Sequence, residues 1–300
     1  MLIKKLIRII VVLLILIGIC GGFWYHSFTI APTKYVMQSV NVQDELIPNA
    51  FEGFKIGFIS DFDLHTSKDL NNLEKCIEKL NQEKCHMVIF GGDLFENGEI
   101  FDEDKLISIL KSIETTHGKL AVLGETDFLS DMEKTISLLE KSGFEVMRNQ
   151  AHNIYYNDAA ITFAGMEASG DVENVLSSSQ KNNFVMVAVH QPDYFDKIST
   201  SSVKLQLSGH SGGGFIHLPI IGSTVKFEGA TNYTHGHYTK NNCHLYITNG
   251  VGMGHEQTAR FNCNPGATII TLHSTQLKDK KEQTPKQEEP KADDQKNNNK

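Results

Sequence analysis

Three hundred residues of which 40% are apolar and 21% charged suffice for one large domain or two small ones, and exclude a chain too polar to bury a core. The formal net charge is −8; with Lys4, Lys5 and Arg8 at one end and a tail of seven Lys against six Asp and Glu at the other, the body between them carries about −12. So acidic a body excludes a general electrostatic footprint for nucleic acid, and any phosphate it handles needs a local positive charge, most simply a metal ion.

The first element is an apolar run from Ile9 to Tyr25 behind the basic trio. About 17 residues at roughly 1.5 Å each approach the ~30 Å of a hydrocarbon core. No small-X-small pattern follows, since the next residues are His26, Ser27 and Phe28, which favours an uncleaved anchor over a cleaved signal peptide. Ile19 stands before Cys20, where lipidation would want a small residue. Basic residues stay on the cytoplasmic side, so the expectation is a single-pass protein of the cell membrane with its bulk outside the cytoplasm. The expected organisation is 1–28 stub and transmembrane anchor, 29–53 linker, 54–276 one domain, and 277–300 a charged, disordered tail. From Lys278 that tail has no apolar residue larger than alanine and cannot offset the entropy of ordering.

Within the domain, FKIGFIS (54–60), HMVIFGG (86–92) and KLAVLG (119–124) read as buried strands. Between and behind them, Leu70, Leu73, Ile77 and Leu80, then Leu106, Ile109 and Leu110, then Met132, Ile136 and Leu139 recur at helical spacing. Such alternation implies parallel pairing with helices packed on the sheet. From Ile154 onward strands dominate: AAITFAGM, FVMVAVH, VKLQLSGH, TVKFEG, HLYITNG and ATIITL. Two sheets in one domain follow. Of the cysteines outside the anchor, Cys76, Cys85, Cys243 and Cys263 show no paired metal-type spacing; buried thiols are the preferred reading, with a disulfide open in an oxidising compartment.

Polar residues gather directly after these strands, where α/β proteins place ligands. SDFDLH supplies Asp61, Asp63 and His65; GGDLFEN supplies Asp93 and Glu96; GETD supplies Glu125 and Asp127; AVHQPD and SGHSGG supply His190 and His210. One Asp after a strand is more often a cap or turn former than a ligand. Five successive strands ending so would crowd carboxylates and imidazoles on one rim, which is stable only around a cation. Glu96 and Asp127 read as groups that orient ligands or cap helices. The GGG at 212–214 lacks a following Lys-Ser or Lys-Thr, and Ser211 lacks a nucleophile elbow, so neither carries chemistry alone.

These motifs, in the order ISDFDL, FGGDLFEN, VLGETD, VAVHQPDYF and LSGHSGGGFIHLP, with NGVGMGHEQTARFNCNPGATIITL closing, resemble those of the calcineurin-like metallophosphoesterases, in particular a membrane-anchored phosphodiesterase-like branch, over about residues 54–272. The resemblance implies a four-layer α/β sandwich, two mixed sheets flanked by helices, with metal ions at the strand ends. It implies metal ligation by Asp61, Asp63, Asp93, Glu125, His190 and His210, with Asp63 and His65 as an alternative reading of the first loop. Three positions depart from the family pattern. Glu125 stands for an Asn ligand, Thr126 for the histidine that assists the leaving group, and Gly212 for a histidine of the first metal. His235 and His237 are candidate substitutes, though ordinary surface histidines are the simpler reading. One or two divalent ions (Mn, Mg, Fe or Zn) are expected, with the all-carboxylate first site suited to Mg²⁺ or Mn²⁺. The expected function is a membrane-anchored, metal-dependent phosphoesterase with an atypical, weakened dinuclear centre, acting on a phosphate-ester small molecule or lipid. The alternative is an inactive relative that binds a metal or phosphorylated ligand at the cell surface.

Overall fold

The computed structural model describes residues 2–96, 102–129, 131–168, 170–253 and 259–276; the tail expected from 277 onward lies outside them. Helix α1 (Leu2–Tyr25) runs on through two tighter and wider turns, so that Ile3–Thr33 is long and apolar enough to cross a membrane, and its apolar window is not buried in the protein. It touches the body at its C-terminal end: the Phe23 ring lies 4.7 Å from that of Phe261, and the Ser27 carbonyl accepts the Arg260 N–H at 2.9 Å.

The body is made of strands β1 (Val36–Asp44), β2 (Lys55–Ile59), β3 (Met87–Phe90), β4 (Lys119–Ala121), β5 (Phe144–Val146), β6 (Gln150–Tyr156), β7 (Ala159–Met166), β8 (Val185–Val189), β9 (Leu205–Ser208), β10 (His217–Leu218), β11 (Gly222–Ser223), β12 (Gly236–Lys240), β13 (Cys243–Ile247) and β14 (Gly266–Ser274). Helices α2 (Ser67–Gln82), α3 (Glu103–Lys111), α4 (Glu125–Leu129) and α5 (Met132–Lys141) interrupt the first half. One six-stranded sheet has the order β1-β14-β2-β3-β4-β5 and the other β12-β13-β9-β8-β7-β6; β10 and β11 form a separate hairpin. The runs β2 to β5 and β7, β8, β9, β13 are parallel, and antiparallel pairs β14/β2, β6/β7 and β12/β13 make both sheets mixed.

Strand periodicity builds the layers. Successive side chains of a strand point to opposite faces, so in β3 Met87 and Ile89 enter the core between the sheets while Val88 and Phe90 enter the core under the helices. In β8, Met186 and Ala188 face the other sheet, and Val185, Val187 and Val189 face the outer cluster with Phe195 and Val203. The helical stripe of α2, Leu70, Leu73, Ile77 and Leu80, is buried on the first sheet. Its start is fixed by a capping box between Thr66 and Asp69, which satisfies two backbone donors the helix cannot. Four layers result. All four cysteines of the body are free and buried.

Two stretches differ from the sequence reading. Val36–Asp44, inside the expected linker, is an edge strand paired in parallel with β14 from Val36↔Gly266 to Asp44↔Ser274; only Val42 of it is fully buried, so its pattern carries little apolar signal. TVKFEG (224–229) is not a strand. Its neighbourhood is held by turn bonds instead: Asp193 accepts the N–H groups of Thr231, Asn232 and Tyr233, and the Glu228 carbonyl faces His210.

The closing segment packs through Arg260, 1% exposed, whose Nη1 donates to the carbonyls of Asn249 at 2.8 Å, Cys263 at 3.0 Å and Gly212 at 3.3 Å, and whose Nη2 donates to that of Gly252. Its guanidinium lies 4.8 Å from the Phe215 ring centroid. Truncation would strand several buried carbonyls at about 1–3 kcal/mol each. Arg260→Met is therefore expected to lower unfolding free energy by at least about 3 kcal/mol in a urea titration.

Candidate metal centre

The C-terminal ends of β2, β3, β4, β8 and β9 line one edge of the sandwich, and each chain turns sharply as it leaves. Asp61, Asp63, Asp93 and His210 all take positive φ, 51°, 45°, 60° and 69°. Left-handed backbone at non-glycine residues is costly and clusters at functional sites. Gly124 lets the β4 loop approach, because a Cβ there would overlap the Asp93 carboxylate.

Ligand atoms of Asp93, Glu125, His190 and His210 all lie within 4.8 Å of one another. His190 Nε2 is 3.0 Å from Asp93 Oδ2, 3.7 Å from Glu125 Oε2 and 3.8 Å from Asp61 Oδ1; His210 Nδ1 is 2.8 Å from Glu125 Oε2. The outer nitrogens decide what the inner ones present. His190 Nδ1 sits 2.6 Å from the Gly91 carbonyl and His210 Nε2 2.7 Å from the Glu228 carbonyl. A carbonyl only accepts, so both outer nitrogens carry hydrogen, and each inner nitrogen faces carboxylate oxygen with a lone pair unless a second proton or a metal sits there. Buried His190 Nε2 and Glu125 Oε2 make no hydrogen bond despite these separations. These two orphaned atoms, with Asp93 and His210 beside them, make a set of two imidazoles and two carboxylates that fits a divalent metal ion.

Electrostatics say the same. Burial alone would lower the pKa of His190, but the charges of Asp93, Asp61 and Glu125 outweigh it and push the imidazole well above its ordinary value. His210 is raised too, its burial outweighed chiefly by Glu125. Burial raises Asp61 in spite of His190, and burial with the charges of Asp61 and Asp93 raises Asp63 well above the carboxylate range. Asp93 and Glu125 move the other way: in spite of burial, Asp93 is held below its ordinary value chiefly by His190, and Glu125 by His210 and His190.

Asp61 and Asp63 fall outside the four-residue cluster. Asp61 borders it, and its carboxylate accepts the His210 N–H at 2.7 Å and bonds Ser60 Oγ. Asp63 is mostly buried, close enough to feel Asp61, Asp93 and Arg260. Asp127, wholly buried, accepts the N–H groups of Asp93, Leu94 and Gly124, each at 2.9 Å, and so ties the β3 and β4 loops together. Burial and the Asp93 charge push its carboxyl up to about 6 against those donors. Thr126 gives its backbone N–H to Asp93 Oδ1 at 3.0 Å. Gly212 has φ 55°, and a Cβ there would run into the Phe215 ring. His235 and His237 lie outside the cluster, the first with its ring tilted against that of His217 at 4.4 Å and the second stacked 4.3 Å from Tyr246. Sequence reasoning missed Arg260 and Phe215, whose contributions are made through backbone carbonyls and ring packing that no motif spells out.

A two-sheet α/β sandwich with this cluster at its strand ends defines a calcineurin-like architecture. Among curated proteins, the chain is 31% identical over 264 residues to the uncharacterized metallophosphoesterase YkuE of Bacillus subtilis, covering 85% of this chain and 91% of that one. It therefore belongs to the metallophosphoesterase family. It is also 24% identical over 226 residues to the phosphodiesterase YaeI of Escherichia coli, covering 73% and 82%. A dimetal phosphatase from Danio rerio aligns with a TM-score of 0.42 at 11% identity, covering 67% of this chain and 88% of that one. No family model matches the chain.

Two outcomes follow. Metal must displace the protons that the raised His190 and His210 retain, so Mn²⁺ affinity should rise as the pH climbs through and above the ordinary imidazole range, read by titration calorimetry. Asp127→Asn replaces an acceptor of three N–H bonds by an amide that presents its own donors, and should cost about 1–3 kcal/mol in a thermal melt while weakening metal binding.

Proposed function

We propose that the chain is a membrane-anchored, metal-dependent phosphoesterase of phosphodiesterase type, with the apolar run of α1 in the bilayer and the body outside the cytoplasm. The observation that carries the reading is a buried imidazole, His190, and a partly buried one, His210, whose inner nitrogens point at carboxylate oxygen, in a chain whose family acts on phosphate esters. Asp93, Glu125, His190 and His210 would hold one divalent ion, with Asp61 at the border of that site and Asp63 behind it. An ion bound there polarises a phosphoryl oxygen and lowers the pKa of a bound water.

The chain's own residues set the rest. The carbonyls of Gly91 and Glu228 hold the two rings in one tautomer, and Thr126 N–H and Asp127 hold Asp93 in place. Thr126 offers no acid–base group to a leaving alcohol, an assistance worth roughly 10²- to 10⁴-fold where present. Phe215 fills the space beside Gly212, so a second ion finds no imidazole there. These features weaken the centre and favour esters with good leaving groups. They also support the second reading, a protein that keeps a metal or phosphorylated ligand without turnover.

The test is hydrolysis of bis(p-nitrophenyl) phosphate by the full-length protein with Mn²⁺. Turnover that falls at least ~100-fold in Asp93→Asn supports the enzyme; Mn²⁺ binding without turnover supports the second reading. Thr126→His is expected to raise turnover of an alkyl ester at least about tenfold.

A further inference from the structure

Beside the metal cluster lies a cavity of about 220 Å³ lined by Leu123, Phe128, Leu129 and Ala168 together with Glu125 and His190. Its walls are apolar, and its two polar members are cluster residues. Helical spacing explains the juxtaposition. Phe128 and Leu129 stand three and four residues after Glu125 in α4, which places them on the face of the helix that also carries the Glu125 side chain. Leu129 is 86% and Phe128 41% exposed. A single exposed leucine is ordinary, but here it forms the lip of a cavity that opens on reactive groups. An apolar cavity of roughly 150 Å³ accepts a benzene ring, so this one has room for a ring or a short alkyl chain. Arg148 lies 5.9 Å from the Phe128 ring centroid and is paired with Glu167 at 2.6 Å, which steadies the outer wall.

We propose that this cavity receives an apolar group carried by the phosphate ester, so that the substrate is the ester of an aryl or alkyl alcohol rather than of a small polar one. The proposal rests on the phosphoesterase reading and names the chemistry of its substrate. Contact with Leu129 and Phe128 holds the ester's apolar arm while the phosphoryl group faces Glu125 and His190.

The full-length, Mn²⁺-loaded protein is titrated with methylphosphonate, butylphosphonate and phenylphosphonate. At least one of the two larger ligands is expected to bind about tenfold or more tightly than methylphosphonate; a phenyl preference identifies an aryl ester, and a butyl preference an alkyl chain such as a lipid supplies. In Leu129→Asp, at a position exposed enough to leave the fold intact, that preference should shrink to less than about threefold. Equal affinity for all three in the wild type overturns the proposal and leaves the phosphoesterase reading standing. Failure to bind any phosphonate while Mn²⁺ is held overturns that reading, and the proposal with it.

Discussion

The structure turns on two hydrogen bonds that point away from the reactive centre. By donating outward to the Gly91 and Glu228 carbonyls, His190 and His210 are left with their basic nitrogens aimed inward at Asp93 and Glu125. In a buried pocket, lone pairs facing carboxylates are tolerable only when something positive stands between them. A proton suffices weakly, and the raised imidazoles show the pocket reaching for one. A divalent ion satisfies all the acceptors at once.

The fold exists, for this purpose, to bring five distant loops to one point and keep them there. Parallel strands deliver Asp61, Asp93, Glu125, His190 and His210 to the same edge of two packed sheets. Beneath them a second set of bonds works entirely through backbone. Asp127 gathers the β3 and β4 loops through three N–H groups, and Arg260 gathers the loops around Gly212, Asn249, Gly252 and Cys263 through their carbonyls. One buried carboxylate and one buried guanidinium thus bracket the centre, each surrounded by complementary backbone dipoles. The body also meets the anchor through Arg260 and Phe261, so the segment behind the centre is the one nearest the end of the apolar helix.

Much of this was readable beforehand, and the reasons are physical. Buried parallel strands are uninterrupted apolar runs, so FKIGFIS and FVMVAVH announced themselves, and the polar residues just past them had to face one rim. Val36–Asp44 did not, because an edge strand with a single buried side chain has no periodic signature. TVKFEG misled for the opposite reason: it is β-prone in composition, yet its surroundings are satisfied by Asp193 and His210 rather than by a ladder. The occupancy of the Gly212 position was also invisible. That Phe215, three residues on, swings its ring into the space is a fact of a left-handed loop, not of spacing.

The central claim is that the inward imidazoles bind a cation. Counting divalent metal retained by the full-length protein after equilibrium dialysis against Mn²⁺, for wild type and for His190→Ala with His210→Ala, tests it most directly. One ion per chain in the wild type and none in the double variant is the predicted result. A wild type that retains no ion, or a double variant that retains as much, would contradict the account.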